Sequence, residues 1–287
     1  MLGKLSSAER GSDRLAARRR QGRRRGLIAF GVILCIICGA LIWGLQQNTA
    51  RIARVQIFGA DQSLSEIAHT AMQGEYLGII PRDSIFFFPE DRIRADILAA
   101  HAEIAAVSIF RNGLTGLTIK IDDRIPVARW CGLAPDATRF DLNASSSRSN
   151  LVTSNCYLFD VKGYIFAAAA TTTQTINSFV LYAPLANEIL EPLRATIANA
   201  EKLPSAFDFA RQLTTLGSSV TRIILRDGEV DTYLTSGTRI TYLLDDEQNA
   251  FTALVSARAN MNLADGSVEY VDLRFGGKVY LKKKGDI

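Results

Sequence analysis

The first hydrophobic pattern along the chain is an unbroken one. Gly26 to Leu45 reads GLIAFGVILCIICGALIWGL, with no charge. Roughly 20 helical residues cover about 30 Å, the thickness of a bilayer's hydrocarbon core, so a transmembrane helix is predicted over 26–46. Beyond it the pattern turns amphipathic. Arg54-Val55-Gln56-Ile57-Phe58 alternates polar and apolar positions and predicts a strand. Ser63-Leu64-Ser65-Glu66 matches a capping box, and Leu64, Ile67, Ala68, Ala71 and Met72 fall on one helical face. After a loop rich in Gly and Phe, Pro89 opens a second helix with Ile93, Ile97 and Ala100 inward. The run Phe86-Phe87-Phe88 is expected to be buried beneath a neighbouring loop. Val107–Phe110 and the alternating Leu117, Ile119 and Ile121 predict two further strands around a turn at Asn112-Gly113. Over 51–130 the order is thus βααββ, a small α+β layer with two helices on one face of a three-stranded sheet.

From 131 to 283 the pattern predicts a larger antiparallel sheet with helices packed on one face. Residues 132–155 are rich in Ser, Asn, Ala and Asp and are expected to form a loop insertion. Strands are predicted at Tyr157–Asp160, Tyr164–Phe166 and Ser178–Tyr182, and helices near 187–200 and 205–216. Val220–Arg226 and Glu229–Leu234 flank the hairpin dipeptide Asp227-Gly228. Arg239–Leu244 follows, then a helix capped by Asp245 and Gln248. Val268–Phe275 and Lys278–Lys282 are expected to meet in a hairpin at Gly276-Gly277.

Charge sets the orientation of the span. Residues 1–26 carry nine Lys/Arg against two Asp/Glu, whereas the remainder is net acidic. Residues 1–25 have few apolar positions and are expected to be a disordered basic tail. Basic residues before the span and few after it place the N-terminus in the cytoplasm and everything from about Gln46 outside. A cleaved signal peptide is the competing assignment. Its apolar region is shorter and ends at small residues, whereas this span exits through Trp43-Gly44-Leu45-Gln46. An uncleaved anchor is therefore expected.

Candidate chemistry is sparse. Cys35 and Cys38 form a C-x-x-C inside the apolar span, where thiolates are disfavoured. Cys131 and Cys156 lie outside it, and a disulfide between them is a candidate. The two histidines, His69 and His101, have no carboxylate or thiol at ligand spacing. No nucleophile elbow or phosphate-binding glycine loop is present. No cofactor, nucleic acid or small-molecule substrate is expected, and the chain is not expected to be an enzyme.

An ordered series of motifs resembles the bacterial division proteins of the FtsQ/DivIB family. Val55-Gln56-Ile57-Phe58-Gly59 is similar to the opening of that family's POTRA domain. Val107–Arg111 and Leu117–Ile121 resemble its paired strands. Asp123-Arg124-Ile125-Pro126-Val127-Ala128-Arg129-Trp130 resembles E-R-x-P-v-A-x-W, with Asp for Glu. Asp160-Val161-Lys162-Gly163-Tyr164-Ile165-Phe166 matches a D-x-x-G-x-x-F turn, and Tyr270–Phe275 followed by Gly-Gly matches y-v-D-L-R-f. The resemblance implies a non-catalytic scaffold of the division septum. Its POTRA-like domain would engage other division proteins, and its β domain would bind FtsB- and FtsL-like proteins at the edge made by the last strand. The residues assigned to that contact are Arg274, Phe275, Gly277, Lys278, Val279, Tyr280 and Lys282. Tyr280 and Phe275 would anchor the partner, while Arg274, Lys278 and Lys282 meet its acidic residues. Two alternatives stand beside this reading. One is a POTRA-bearing protein of secretion or outer-membrane assembly, which would need a pore domain. The other is an envelope hydrolase with a site assembled only by folding.

Overall fold

The structure is a computed structural model that describes residues 6–133, 156–170, 172–187 and 191–285, with the backbone alone for 6–24. It opens on one helix, α1 (Ser6–Leu45). The helix starts some 20 residues earlier than the apolar pattern indicates and runs through the basic segment expected to be disordered. Arg, Ala, Gln and Leu have high helix propensity, and extending an existing helix avoids the unfavourable nucleation step. Its Arg25–Leu45 part is long and apolar enough to cross a membrane.

Two compact units follow, dividing at 100–106 and again at 122–123. The first contains β1 (Arg54–Phe58), α2 (Leu64–Ala71), β2 (Glu75–Tyr76), β3 (Ile80–Pro81), α3 (Glu90–Ala100), most of β4 (Ile104–Asn112) and β5 (Gly116–Asp123). Its sheet order is β1-β5-β4, with β1 parallel to β5. The predicted βααββ order is present, with the small β2–β3 hairpin added inside the Gly- and Phe-rich loop. Leu64, Ala68 and Ala71 from α2, Ile93 and Ile97 from α3, and Leu117, Ile119 and Ile121 from β5 are all buried. The capping box is not formed: Ser63 is helical in backbone and its side chain makes no cap bond. Phe88 is buried, but Phe86 and Phe87 are exposed, contrary to the expectation for that run.

The second unit is built on a nine-stranded sheet. It adds β6 (Ala128–Trp130), β7 (Tyr157–Phe159), β8 (Ile165–Ala168), β9 (Val180–Tyr182), α4 (Leu203–Leu213), β10 (Val220–Arg226), β11 (Glu229–Leu234), β12 (Arg239–Leu243), α5 (Glu247–Ala257), β13 (Val268–Asp272) and β14 (Tyr280–Lys283). The strand order is β14-β13-β12-β11-β10-β9-β6-β7-β8. The sheet is mixed rather than antiparallel, because β6–β9, β9–β10 and β12–β13 pair in parallel. Each of these parallel neighbours is joined by a long connection rather than a hairpin, as parallel pairing demands. Phe209 of α4 stacks on Tyr242 of β12 at 4.3 Å and meets Phe251 of α5 edge-on at 6.3 Å, so both helices share one core with the sheet.

The helix expected near 187–200 does not form in the described part of that range. Arg194 and Asn199 adopt positive φ, and Thr196 and Ile197 bridge to Tyr164 and Leu185. Pro192 accounts for this, since it removes a donor and disfavours helical backbone in the residue before it. The cap position of α5 is held by Asp246, with no side-chain cap bond. Asp245 instead has φ of 78° and pairs with Lys202 at 2.6 Å. Cys131 and Cys156 form a disulfide, with Cα atoms 4.3 Å apart. From residue 134 to 155 the expected loop insertion lies outside the described residues.

Candidate docking edge

Among the described residues, β14 ends the sheet and pairs with β13 alone. The register Val271↔Leu281 and Asp272↔Tyr280 fixes the hairpin. The connection is therefore residues 273–279 rather than a two-residue turn at Gly276-Gly277. Gly277 adopts φ of 72°, and Lys278 N–H donates to Phe275 C=O at 2.9 Å, so the tight part of the loop spans 275–278.

The two ends of the sheet differ. On β8, Ile165 N–H donates to Ala195 C=O and Ile165 C=O accepts from Arg194 N–H, each at 2.8 Å, so the chain covers part of its own edge. No strand among the described residues pairs with the outer side of β14. Alternate N–H and C=O groups of an edge strand point away from its one neighbour, and these are what a further strand would bond.

Two aromatic rings stand beside this edge. Phe275 is 52% and Tyr280 49% exposed, yet they meet edge-to-face with centroids 5.3 Å apart. Val279 between them in sequence turns inward and packs against the core. Lys278 is exposed, and Lys282 pairs with Glu269 of β13 at 3.2 Å.

Arg274 bonds within its own hairpin and to β11. Its Nε donates to Asp272 Oδ1 at 3.0 Å, its Nη2 to Asp272 Oδ2 at 2.6 Å and its Nη1 to Glu229 Oε1 at 2.9 Å. Its backbone N–H also donates to Asp272 Oδ1, at 3.1 Å. The guanidinium is thus held from within its own unit, and Arg274 fixes the start of the loop. The Arg274 side chain and N–H beside Asp272 hold that carboxyl below the usual carboxylate range. Asp272 is buried and lies opposite Thr241, which lies opposite Asp231. Thr241 Oγ1 donates to Asp231 Oδ1 at 2.6 Å, and Arg226 pairs with Asp231 at 3.1 Å. A row of buried polar groups therefore crosses the sheet behind the edge. Its members Asp231 and Thr241, and the half-exposed Glu229 beside it, carry no motif. Their one sequence signal is polarity within otherwise apolar strands.

At the other end of the sheet two motifs prove to be partners. Arg124 pairs with Asp160, donates from Nε to Ala102 C=O at 3.0 Å and lies over the Tyr164 ring at 4.1 Å. Asp160 Oδ1 also accepts from the N–H groups of Lys162 and Tyr164, at 2.9 and 3.0 Å. Gly163 completes this turn at φ of 71°, where an added Cβ would come within 2.7 Å of Ala200 Cβ. These residues hold one another in the turn. Elsewhere, His101 Nδ1 lies 2.8 Å from Glu103 Oε1. Among the described residues no group of three or more His, Cys, Asp or Glu side chains is placed to hold a metal ion. No protein-family model matches this chain, and no curated protein sequence matches it.

Proposed function

We propose that this chain is a membrane-anchored, non-catalytic docking scaffold that captures a partner by adding a strand to β14. The observation that carries this reading is that β14 ends the nine-stranded sheet, with no strand among the described residues paired to its outer side. Main-chain bonds to such an edge supply affinity, and nearby side-chain pockets supply selectivity. The Phe275–Tyr280 pair offers an aromatic anchor next to the edge, and the Arg274 clamp keeps the loop that carries it in place. Aromatic anchors of this kind carry much of the energy in protein interfaces.

The motif series resembles the FtsQ/DivIB division proteins, and that resemblance supplies the partner class. The edge would take a segment of an FtsB- or FtsL-like coiled-coil protein, and the first unit would be a POTRA domain engaging other division proteins. α1 would hold the chain in the cytoplasmic membrane with its N-terminus inside. The site would be the division septum, where the scaffold links its partners to wall synthesis. Capture of the purified FtsB- and FtsL-like proteins of the same cell by the full chain tests this. Tyr280→Lys should abolish capture while leaving the fold intact. Undiminished capture by that variant would overturn the edge as the docking surface, and normal division after depletion of the chain would overturn the scaffold reading.

A further inference from the structure

We infer that the first unit makes a second contact with the bilayer, through an apolar rim formed by the β2–β3 hairpin and the loop after it. This rests on α1 spanning the membrane. Four exposed apolar side chains make up the rim. Leu77 is 96% exposed, Ile79 46%, Phe86 56% and Phe87 49%. Leu77 also adopts φ of 54° and is followed by Gly78 at 69°, a backbone path that presents the Leu side chain outward in a conformation L-residues disfavour. In water such a cluster is unfavourable, and exposed apolar groupings of this kind mark contact surfaces.

Its position identifies what covers it. The span ends at Leu45, and the next side chain, Gln46, donates from Nε2 to Ile79 C=O at 3.5 Å. Two backbone bonds tie the same loop to the segment leaving the span: Ile52 N–H to Asp83 C=O at 2.8 Å and Ile85 N–H to Ala50 C=O at 3.0 Å. Arg51 bridges to Ser84 as well. The hairpin is thus laced to the residues that emerge from the hydrocarbon and lies at headgroup depth, where amphipathic aromatic residues are favoured. Trp43 sits at that end of the span, and Tyr76 with Arg82 stacked over its ring at 5.1 Å supplies a similar interfacial pair on the hairpin. Burying the rim among acyl chains removes its apolar surface from water, as for an interfacial helix.

β1 leads away from this end. Phe58 is also apolar and 56% exposed, but lies four residues beyond Arg54 along the strand, about 13 Å further on. It therefore serves as a matched control. The full chain, carrying Cys35→Ala and Cys38→Ala, is labelled with an environment-sensitive dye at Leu77→Cys, Phe87→Cys, Phe58→Cys or Leu41→Cys. Each sample is reconstituted into phosphatidylcholine–phosphatidylglycerol vesicles with and without lipids bearing a shallow nitroxide. The disulfide-bonded Cys131 and Cys156 do not react. Positions 77 and 87 should lose emission by about twofold or more in nitroxide lipid, with position 58 nearly unaffected. Circular dichroism of each labelled chain excludes unfolding as the cause. Quenching at 41 with positions 77 and 87 as insensitive as 58 would overturn the second contact and leave the anchor intact. No quenching at 41 would overturn the anchor and this inference with it. Equal quenching at 58 would show that no rim is distinguished and would also overturn it.

Discussion

Phe275 and Tyr280 stand on opposite sides of the last hairpin loop, yet their rings meet at 80° with centroids 5.3 Å apart. An edge-to-face pair of this kind fixes both rings without burying them. Truncating one should therefore cost the fold little and the interface much. Tyr280→Ala is expected to change unfolding free energy by about 0.5 kcal/mol or less, as for exposed positions generally. Its affinity for the proposed strand-donating partner should fall about 30-fold or more, the scale of an interface anchor. Titration calorimetry beside urea unfolding separates the two effects.

Arg274 should behave in the opposite way. It spans Asp272 and Glu229, so Arg274→Ala leaves the buried Asp272 carboxylate without its main partner. A loss of about 1–3 kcal/mol in stability is expected from stranding a mostly buried charge, read from the denaturation midpoint. Partner binding should weaken as a consequence, because the loop carrying Phe275 loses its fixed start.

Acid should undo the same clamp. The Asp272 carboxyl is held below its usual range in the folded chain. Its contribution is complete above the unfolded carboxylate pKa and is lost as pH falls through the lower folded value. Asp272→Asn should therefore be less stable than the parent at pH 7, with the gap closing progressively below about pH 4. Unfolding curves of both chains from pH 7 to pH 3 check the sign. A gap that widens in acid would contradict it.

Glycines with positive φ divide into two groups. An added Cβ at Gly163 would crowd Ala200, whereas one at Gly228 would meet nothing within 4 Å. Gly163→Ala should cost about 2–3 kcal/mol and Gly228→Ala about 1 kcal/mol, since the first adds a clash to backbone strain. Reduction of Cys131–Cys156 removes a link across 25 residues. That should lower stability by about 3–4 kcal/mol in the chain-entropy description. Thermal melts with and without reductant would register the change.

The legible part of this chain is the part with local cause. β10 and β11 keep the bounds read from the sequence, because Asp227-Gly228 turns the chain between them. The helix expected near 187–200 missed Pro192, whose local constraint outweighs an amphipathic pattern. Strand direction was beyond the pattern, since β9 and β13 owe their parallel neighbours to the paths of distant connections. The same holds for side-chain partners. Arg124 meets Asp160 across 36 residues, and Arg274 meets Glu229 across 45. Both arginines sit in motifs that mark them as constrained, but only the folded chain supplies what constrains them. Of the seven residues assigned to docking, Phe275 and Tyr280 are exposed, Val279 packs against the core, and Arg274 bonds to Asp272 and Glu229.

Amide hydrogen exchange along β14 offers the most direct measurement of the docking edge. The full chain is compared alone and with the FtsB- or FtsL-like protein proposed as its partner. Outward-facing amides of residues 280–282 should exchange about tenfold or more slowly in the complex, as new main-chain bonds close over them. Those of β8 at the opposite end of the sheet should keep their rate. Protection that appears elsewhere while β14 exchanges as fast as in the free chain would contradict strand addition at this edge.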